Sequence, residues 1–392
     1  MNKIAKSQEI FECYRQLDAA AGAGVVGSAE LTEDESRYVA SQWKLMWRRF
    51  IHNRAAIGGG LVIALFYLGA LFGDFIAPYT LSTRFAARIY TPPQMIHLFH
   101  DWKFQPFVYG VKLSIDKQTL RKTYAIDPAK IQPLRFFAKG EPYKLFGLIP
   151  ASRHLFLLEG DEPFSMLGTD RQGRDLFTRI MLGSQLSLTI GFVGVCLSLF
   201  FGTVLGISSG YYGGWVDDVI QRLIELVRSF PSVPLWMALS AALPPHWPPM
   251  RMYFAITVIL SIIGWTWLAR QLRGKVLTLR NADFVLAAKL CGASDARIIF
   301  KHLIPATLGH IIVVSTLAMP SMILAETALS YLGLGLRAPL TSWGVLLQEA
   351  QNIQSIALYP WVFIPAIVVA TAILAFNFLG DGLRDAADPY SN

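Results

Sequence analysis

Ionisable residues inside apolar stretches are the first candidates for chemistry, and Glu326, at the end of an uncharged run, is the clearest one in this sequence. It is a candidate for a translocation path through a membrane, the alternative being a charge at the membrane interface. Arg222, Glu225 and Arg228 are spaced three apart, so Glu225 can reach either arginine on one helix face, a pattern of structural neutralisation. His52, His246, His302 and His310 are scattered, and Cys13, Cys196 and Cys291 make no CxxC or Cys/His cluster, so no metal site is expected. There is no HExxH and no pair of membrane carboxylates, and Gly274-Lys275 is followed by Val276 without the upstream glycine of a phosphate-binding loop. The sequence thus predicts a protein that is not an enzyme, has no cofactor, and leaves any ATP to other subunits.

The stretch Asp283–Pro305 suggests a joint. A helix can start near Asn281 or Asp283 and end at Gly292; Ser294 is a plausible N-cap for a second helix, which Pro305 is expected to break. The small pair Ala287-Ala288 would leave one face flat enough for another protein to approach closely.

The elements that must hold these residues are set by composition. The chain has 392 residues, 53% hydrophobic and 16% charged, whereas a soluble domain is about a quarter charged. The net charge of +8 sits beside apolar runs and does not form one basic face, so no nucleic-acid partner is expected. Runs long enough for a bilayer are found at Ala55–Ala77, within the charge-free Ile180–Val216 (placed near Ser184–Ser208), after Asp217-Asp218 up to Pro244, and at Met252–Ala269, Ala306–Ala325 and Leu358–Gly380. Six spans are therefore predicted. Tyr331–Tyr359, rich in glycine, reads as a surface or re-entrant segment. Arg270, Arg273, Lys275, Arg280, Lys289, Arg297 and Lys301 face only Asp283 and Asp295 across one loop, which places that loop and both termini in the cytoplasm.

The domain reading follows. Residues 1–54 form a cytoplasmic N-terminal region, with a capping box at Thr32 and Glu35 and an interfacial helix around Trp43–Phe50 that meets membrane lipid. Residues 55–78 are the first span. Residues 79–167 are a cysteine-free, strand-rich extracytoplasmic insert, with period-two stretches such as Val111–Ile115 and turn signals at Asp127-Pro128 and Gly140-Glu141-Pro142. Residues 168–392 are a core with the remaining spans and the cytoplasmic loop 270–305. Gly202, Gly206 and Gly210 have the small-xxx-small spacing of closely packed helices.

The Asp283–Pro305 segment resembles the coupling loop of bacterial ABC importer permeases, with matches at Ala287, Ala288, Gly292 and Pro305 and departures at Leu286, His302 and Ile304. Gly168–Asp175, Gly210–Asp217, Trp267–Arg270, Glu326–Gly335, Ser342–Gly344 and Asn377–Pro389 are similar to the second permease subunit of the oligopeptide, dipeptide and nickel importers. The resemblance implies an all-α integral membrane protein with six transmembrane helices, in a bacterial inner membrane. It implies half of a translocation pathway for peptides, with nickel, opines or oligosaccharides as alternative cargo. Its partners would be a second homologous permease, two ATPase subunits and a periplasmic substrate-binding protein. On the same basis, Asp283, Ala287, Ala288, Gly292, Ser294, His302 and Pro305 would couple the chain to the ATPases. An ion-coupled secondary transporter is the competing class, but the charged mid-membrane sites and paired broken helices it calls for are not evident.

Overall fold

Apolar length dictates the architecture. The computed structural model describes residues 42–387 except 101–102, 116–121, 160–161, 245 and 337–338; the Thr32–Glu35 capping box lies outside the described residues. Helix α1 (Gln42–His52) exposes Trp47 and Ile51 along with Arg48 and Arg49. Asn53 ends it and caps the next helix, α2 (Arg54–Leu71), by accepting from the Ala56 amide at 3.1 Å. A single turn, α3 (Gly73–Ile76), leads into the insert.

Among the described residues, five helices are long and apolar enough to cross a membrane: α2, α4 (Leu176–Tyr212), α7 (Pro249–Leu279), a continuous helix over Asp295–Tyr331, and Pro360–Ala387, whose α-helical part is Ile364–Ala387. Most run past the predicted ends, because a helix keeps making backbone hydrogen bonds after it leaves the apolar layer. The third predicted span differs. Residues 214–241 fold as an amphipathic helix, α5 (Gly214–Ser229), and a short apolar one, α6 (Ser232–Ala241). The break falls at Phe230, whose extended backbone (φ −89°, ψ 136°) is the conformation that a following proline, here Pro231, imposes.

Between α3 and α4 the described residues form six strands: β1 (His97–His100), β2 (Lys103–Ile115), β3 (Lys122–Phe136), β4 (Lys139–Leu145), β5 (Ile149–Arg153) and β6 (Phe156–Leu158). They form an antiparallel sheet of order β1-β2-β3-β6 and a β4-β5 hairpin. Val108, Leu134, Phe156 and Leu158 form an apolar core with Phe164 and with Phe177 of α4, so the sheet is seated on the helical bundle. His154 completes the seat, with Nδ1 2.5 Å from the Ala77 carbonyl and Nε2 2.9 Å from that of Glu141. This is how a cysteine-free insert is held.

The bundle core centres on α4 packed against α7. A Cβ at Gly202 would lie 2.9 Å from Leu268, at Gly206 2.6 Å from the Ala269 carbonyl, and at Gly210 2.8 Å from Val276, so the three glycines set the approach of the two helices.

Candidate functional site

Three groups of candidate functional residues lie along this bundle. The first is the hook. Helix α8 (Asp283–Leu290) ends in a Schellman motif: the Gly292 amide bonds the Lys289 carbonyl at 2.9 Å, and the Ala293 amide bonds the Ala288 carbonyl at 3.0 Å. Gly292 has φ +76°, a conformation that costs other residues about 1–2 kcal/mol. Ser294 then caps α9 (Asp295–Arg297) by accepting from the Arg297 amide at 3.4 Å. Pro305 does not break this second arm, contrary to expectation. Residues Ile298–Leu303 form a π-helical stretch that runs straight into α10 (Ile304–Tyr331), with Pro305 in its first turn. There the missing amide falls where the hydrogen-bond register has already shifted.

The hook has its own core. Ala288, 1% exposed, clusters with Val285, Ile298 and Leu303 and with Ile207, Tyr211 and Val276 of α4 and α7. Its small size thus serves packing within the chain, and the flat face expected for a partner is turned inward. Ala287 is half-buried, Asp283 and Pro305 are exposed, and His302 is half-buried beside Phe284, with ring centroids 6.4 Å apart. The outward surface is apolar: Leu290 is 89% exposed and Phe300 71%, with Phe284 and Leu286 also exposed. Polar ties hold the hook to the bundle. Tyr211 Oη donates to Asp295 Oδ1 at 2.7 Å, and Lys289 lies over the Tyr211 ring. Beside the hook, Arg273 of α7 grips Asp217 of α5 with two bonds, of 2.6 and 2.5 Å.

The second group is a cavity of about 690 Å³ between α4, the α5–α6 pair, α7 and α10. Ser198, Arg228, Trp236, Trp267, Ser321 and Met322 are among its lining residues. Arg222 pairs with Glu225 at 2.8 Å on the exposed face of α5, which leaves Arg228 to the cavity.

The third group is a buried polar centre at the end of the bundle that carries the insert. Asp170 and Glu349 bind Arg174 and Arg179: Arg174 reaches Asp170 and Glu349 at 2.7 Å each, and Arg179 Nη1 reaches Asp170 at 2.6 Å and Glu349 at 2.5 Å. Asp175, the N-cap of α4, accepts from the Thr178 amide at 2.7 Å, and burial pushes its carboxyl up to about 7. Glu326 is fully buried below this network, accepting from Ser330 at 2.7 Å and Ser187 at 3.2 Å. Ser187 in turn accepts from the Trp343 amide at 3.0 Å, and Ser184 from the Trp343 indole at 3.1 Å. Glu326 thus ties α10 to α4 and to the segment that leads into α11 (Trp343–Glu349).

Sequence reasoning missed Glu349 and Arg179. Their one available signal was Arg179 standing at the edge of a long charge-free run. Gly206-Ile207-Ser208-Ser209-Gly210 has the spacing of a nucleophile elbow, but it lies inside α4 with no strand or sharp turn before it, so it does not form one.

Comparison with known proteins adds to this geometry. Residues 202–390 match the family described as binding-protein-dependent transport system inner membrane component, and residues 41–93 match the N-terminal TM domain of oligopeptide transport permease C. The chain is 43% identical to a dipeptide transport system permease protein of Alkalihalophilus pseudofirmus, over 59% of this chain and 74% of that one. It is 39% identical to an oligopeptide transport system permease protein of Bacillus subtilis, over 59% and 75%. A dipeptide transport system permease protein of Lactococcus lactis subsp. cremoris is 33% identical over 93% of this chain and 96% of its own length.

Proposed function

The chain belongs to the family of inner-membrane components of binding-protein-dependent transport systems, and from that premise we propose that it forms half of a peptide-import pathway driven by separate ATP-binding subunits. Dipeptides and oligopeptides are named for the relatives, and the 690 Å³ cavity is of a size that takes a small peptide. A periplasmic binding protein delivers the substrate, and a second, homologous permease supplies the other wall.

The observation that carries the reading is the continuity of the hook with the cavity wall. One helix runs from Asp295 to Tyr331, and its Leu317, Ala318, Ser321, Met322 and Ala325 line the cavity. An ATPase that grips the exposed Leu290 and Phe300 therefore holds the end of a lever whose other end is the pathway. Asp283, Ala287 and His302 shape the outer arm, Ala288 seats it, Gly292 and Ser294 turn it, and Pro305 marks the shift of register into the span. Glu326 bears on the pathway indirectly, by holding the Ser342–Trp343 segment against α4 and α10.

In this reading α5 and α6 together make a sixth, kinked crossing, so that both termini and the hook are cytoplasmic and the strand-rich insert faces the periplasm. The basic residues between Arg270 and Lys301 support that orientation. Helix α1, with Trp47 beside Arg48 and Arg49, suits the lipid headgroup layer.

The test is Leu290→Asp combined with Phe300→Asp. Both side chains are exposed, so membrane insertion should be unchanged. Loss of two apolar anchors, at about 2 kcal/mol each, should abolish co-purification of the ATPase subunits and substrate-stimulated hydrolysis in proteoliposomes. Normal assembly and transport in the double variant would exclude the hook as the coupling element.

A further inference from the structure

The end of the bundle that carries the insert holds a second cavity, of about 510 Å³, which no role above uses. Its floor is the buried network of Arg174, Arg179 and Glu349, and its rim carries Arg84 and Arg171. The rim is fixed by the backbone. The Phe85 amide bonds the Gly173 carbonyl at 2.9 Å, and the Tyr90 amide bonds that of Asp170 at 3.2 Å, so the loop bearing Arg84 is strapped to the turn bearing Arg171. Gly173 (φ +72°) makes the strap possible, since a Cβ there would meet the Phe85 carbonyl oxygen at 2.2 Å.

Charge in this cavity is unbalanced. Four guanidinium groups, those of Arg84, Arg171, Arg174 and Arg179, meet two carboxylates, Asp170 and Glu349. Arg84 and Arg171 are exposed, and among the described residues neither pairs with an acid. Deeper in, Arg179 is 2% exposed and still has an unpartnered Nε, and Gln172 Oε1 is likewise buried without a partner among the described residues. Guanidinium groups present parallel N–H donors that match the two oxygens of a carboxylate. A space of this size takes one or two residues of a peptide, well beyond what a lone ion needs.

We propose that this cavity is an entry site that takes the C-terminal carboxylate of the incoming peptide, with Arg84 and Arg171 as the groups that read it. The inference rests on the peptide reading given above. It places a specificity determinant on the permease itself, ahead of the 690 Å³ cavity.

The experiment uses the complete importer in proteoliposomes, with trialanine and trialanine amide as probes, each at saturating loading of the binding protein. In the Arg84→Gln, Arg171→Gln double variant, uptake of trialanine should fall about tenfold, the worth of a charge-assisted hydrogen-bond pair. Uptake of the amide and docking of the peptide-free binding protein should keep their wild-type values. The Arg84→Lys, Arg171→Lys variant, which keeps the charge and loses the fork, should fall between the two. Equal loss for acid and amide overturns the proposal, as does unchanged uptake of both. Weakened docking overturns it too, by assigning the arginines to an acidic surface of the binding protein. Absence of trialanine uptake by the wild-type importer would instead overturn the peptide reading, and this site with it.

Discussion

At the hook, seven apolar side chains from α4, α7, α8 and the π-helical stretch close a small core, and the Tyr211–Asp295 hydrogen bond ties it back to the bundle. At the opposite end, four charged side chains with exposures of 2–12% bind one another, and serines hold Glu326 in the layer beneath. The partners also differ in reach. The hook's turn is closed by bonds between neighbours such as Ala288 and Ala293, whereas Arg179 and Glu349 are 170 residues apart. An apolar seat lets an element rock with little change in energy, but a buried ion network tolerates almost no displacement, because each unpaired charge is costly. On the proposal that the hook couples the chain to the ATPases, the difference suits an end that follows them and an end that keeps its shape.

The largest effect that could break this comparison is at the rigid end. Arg179→Leu leaves the Asp170 and Glu349 carboxylates short of a partner, and should cost about 3–5 kcal/mol of stability, read as a lower midpoint of thermal unfolding and poor membrane yield. A wild-type midpoint would mean that the network is not what fixes that end.

At the hook the expected loss is smaller and of another kind. Gly292→Val should cost about 1–2 kcal/mol, confined to the turn, and leave insertion intact while uncoupling ATP hydrolysis from transport. Transport with full coupling in this variant would show that the hook need not be rigid.

The third test is the smallest and uses pH. A carboxyl raised by folding stabilises the protein below its unfolded pKa and loses that contribution as pH rises through its folded value. For Asp175, folded at about 7, roughly 1 kcal/mol should disappear between pH 6 and 8, and Asp175→Asn, which keeps the helix cap, should remove that dependence. Unfolding midpoints of Asp175→Asn and the unsubstituted protein that run parallel from pH 6 to 8 would show that the buried carboxyl adds nothing to the rigid end.

Local physics explains what could be read in the sequence. Gly292 and Ser294 announce a turn and a cap through their own conformational preferences, and Gly202, Gly206 and Gly210 announce close packing by spacing alone. The strands of the insert follow from period-two stretches such as Val111–Ile115, which lies in β2. The inward face of Ala288 was not legible, because a small residue looks alike whether it seats its own chain or a partner. Nor was the split of residues 214–241, where an amphipathic helix and Pro231 interrupt what counts as one apolar run. The ion network escaped because its pairing is set by tertiary contact between motifs that are silent about each other.

The π-helical stretch at Ile298–Leu303 has a consequence in angular phase. Each residue of an α-helix turns the chain by about 100°, and a π turn holds one residue more than the α turn it replaces. The stretch therefore fits one extra residue into a full turn, so the hook before it and the face formed by Leu317, Ser321 and Met322 after it keep the relation that an α-helix one residue shorter would give. A one-residue deletion here would exchange the π turn for an α turn and leave hook and span facing nearly as before, whereas the same deletion between Pro305 and Leu317 would swing the hook by about 100° around its axis. The stretch works as a phase buffer between the two ends of a single rod.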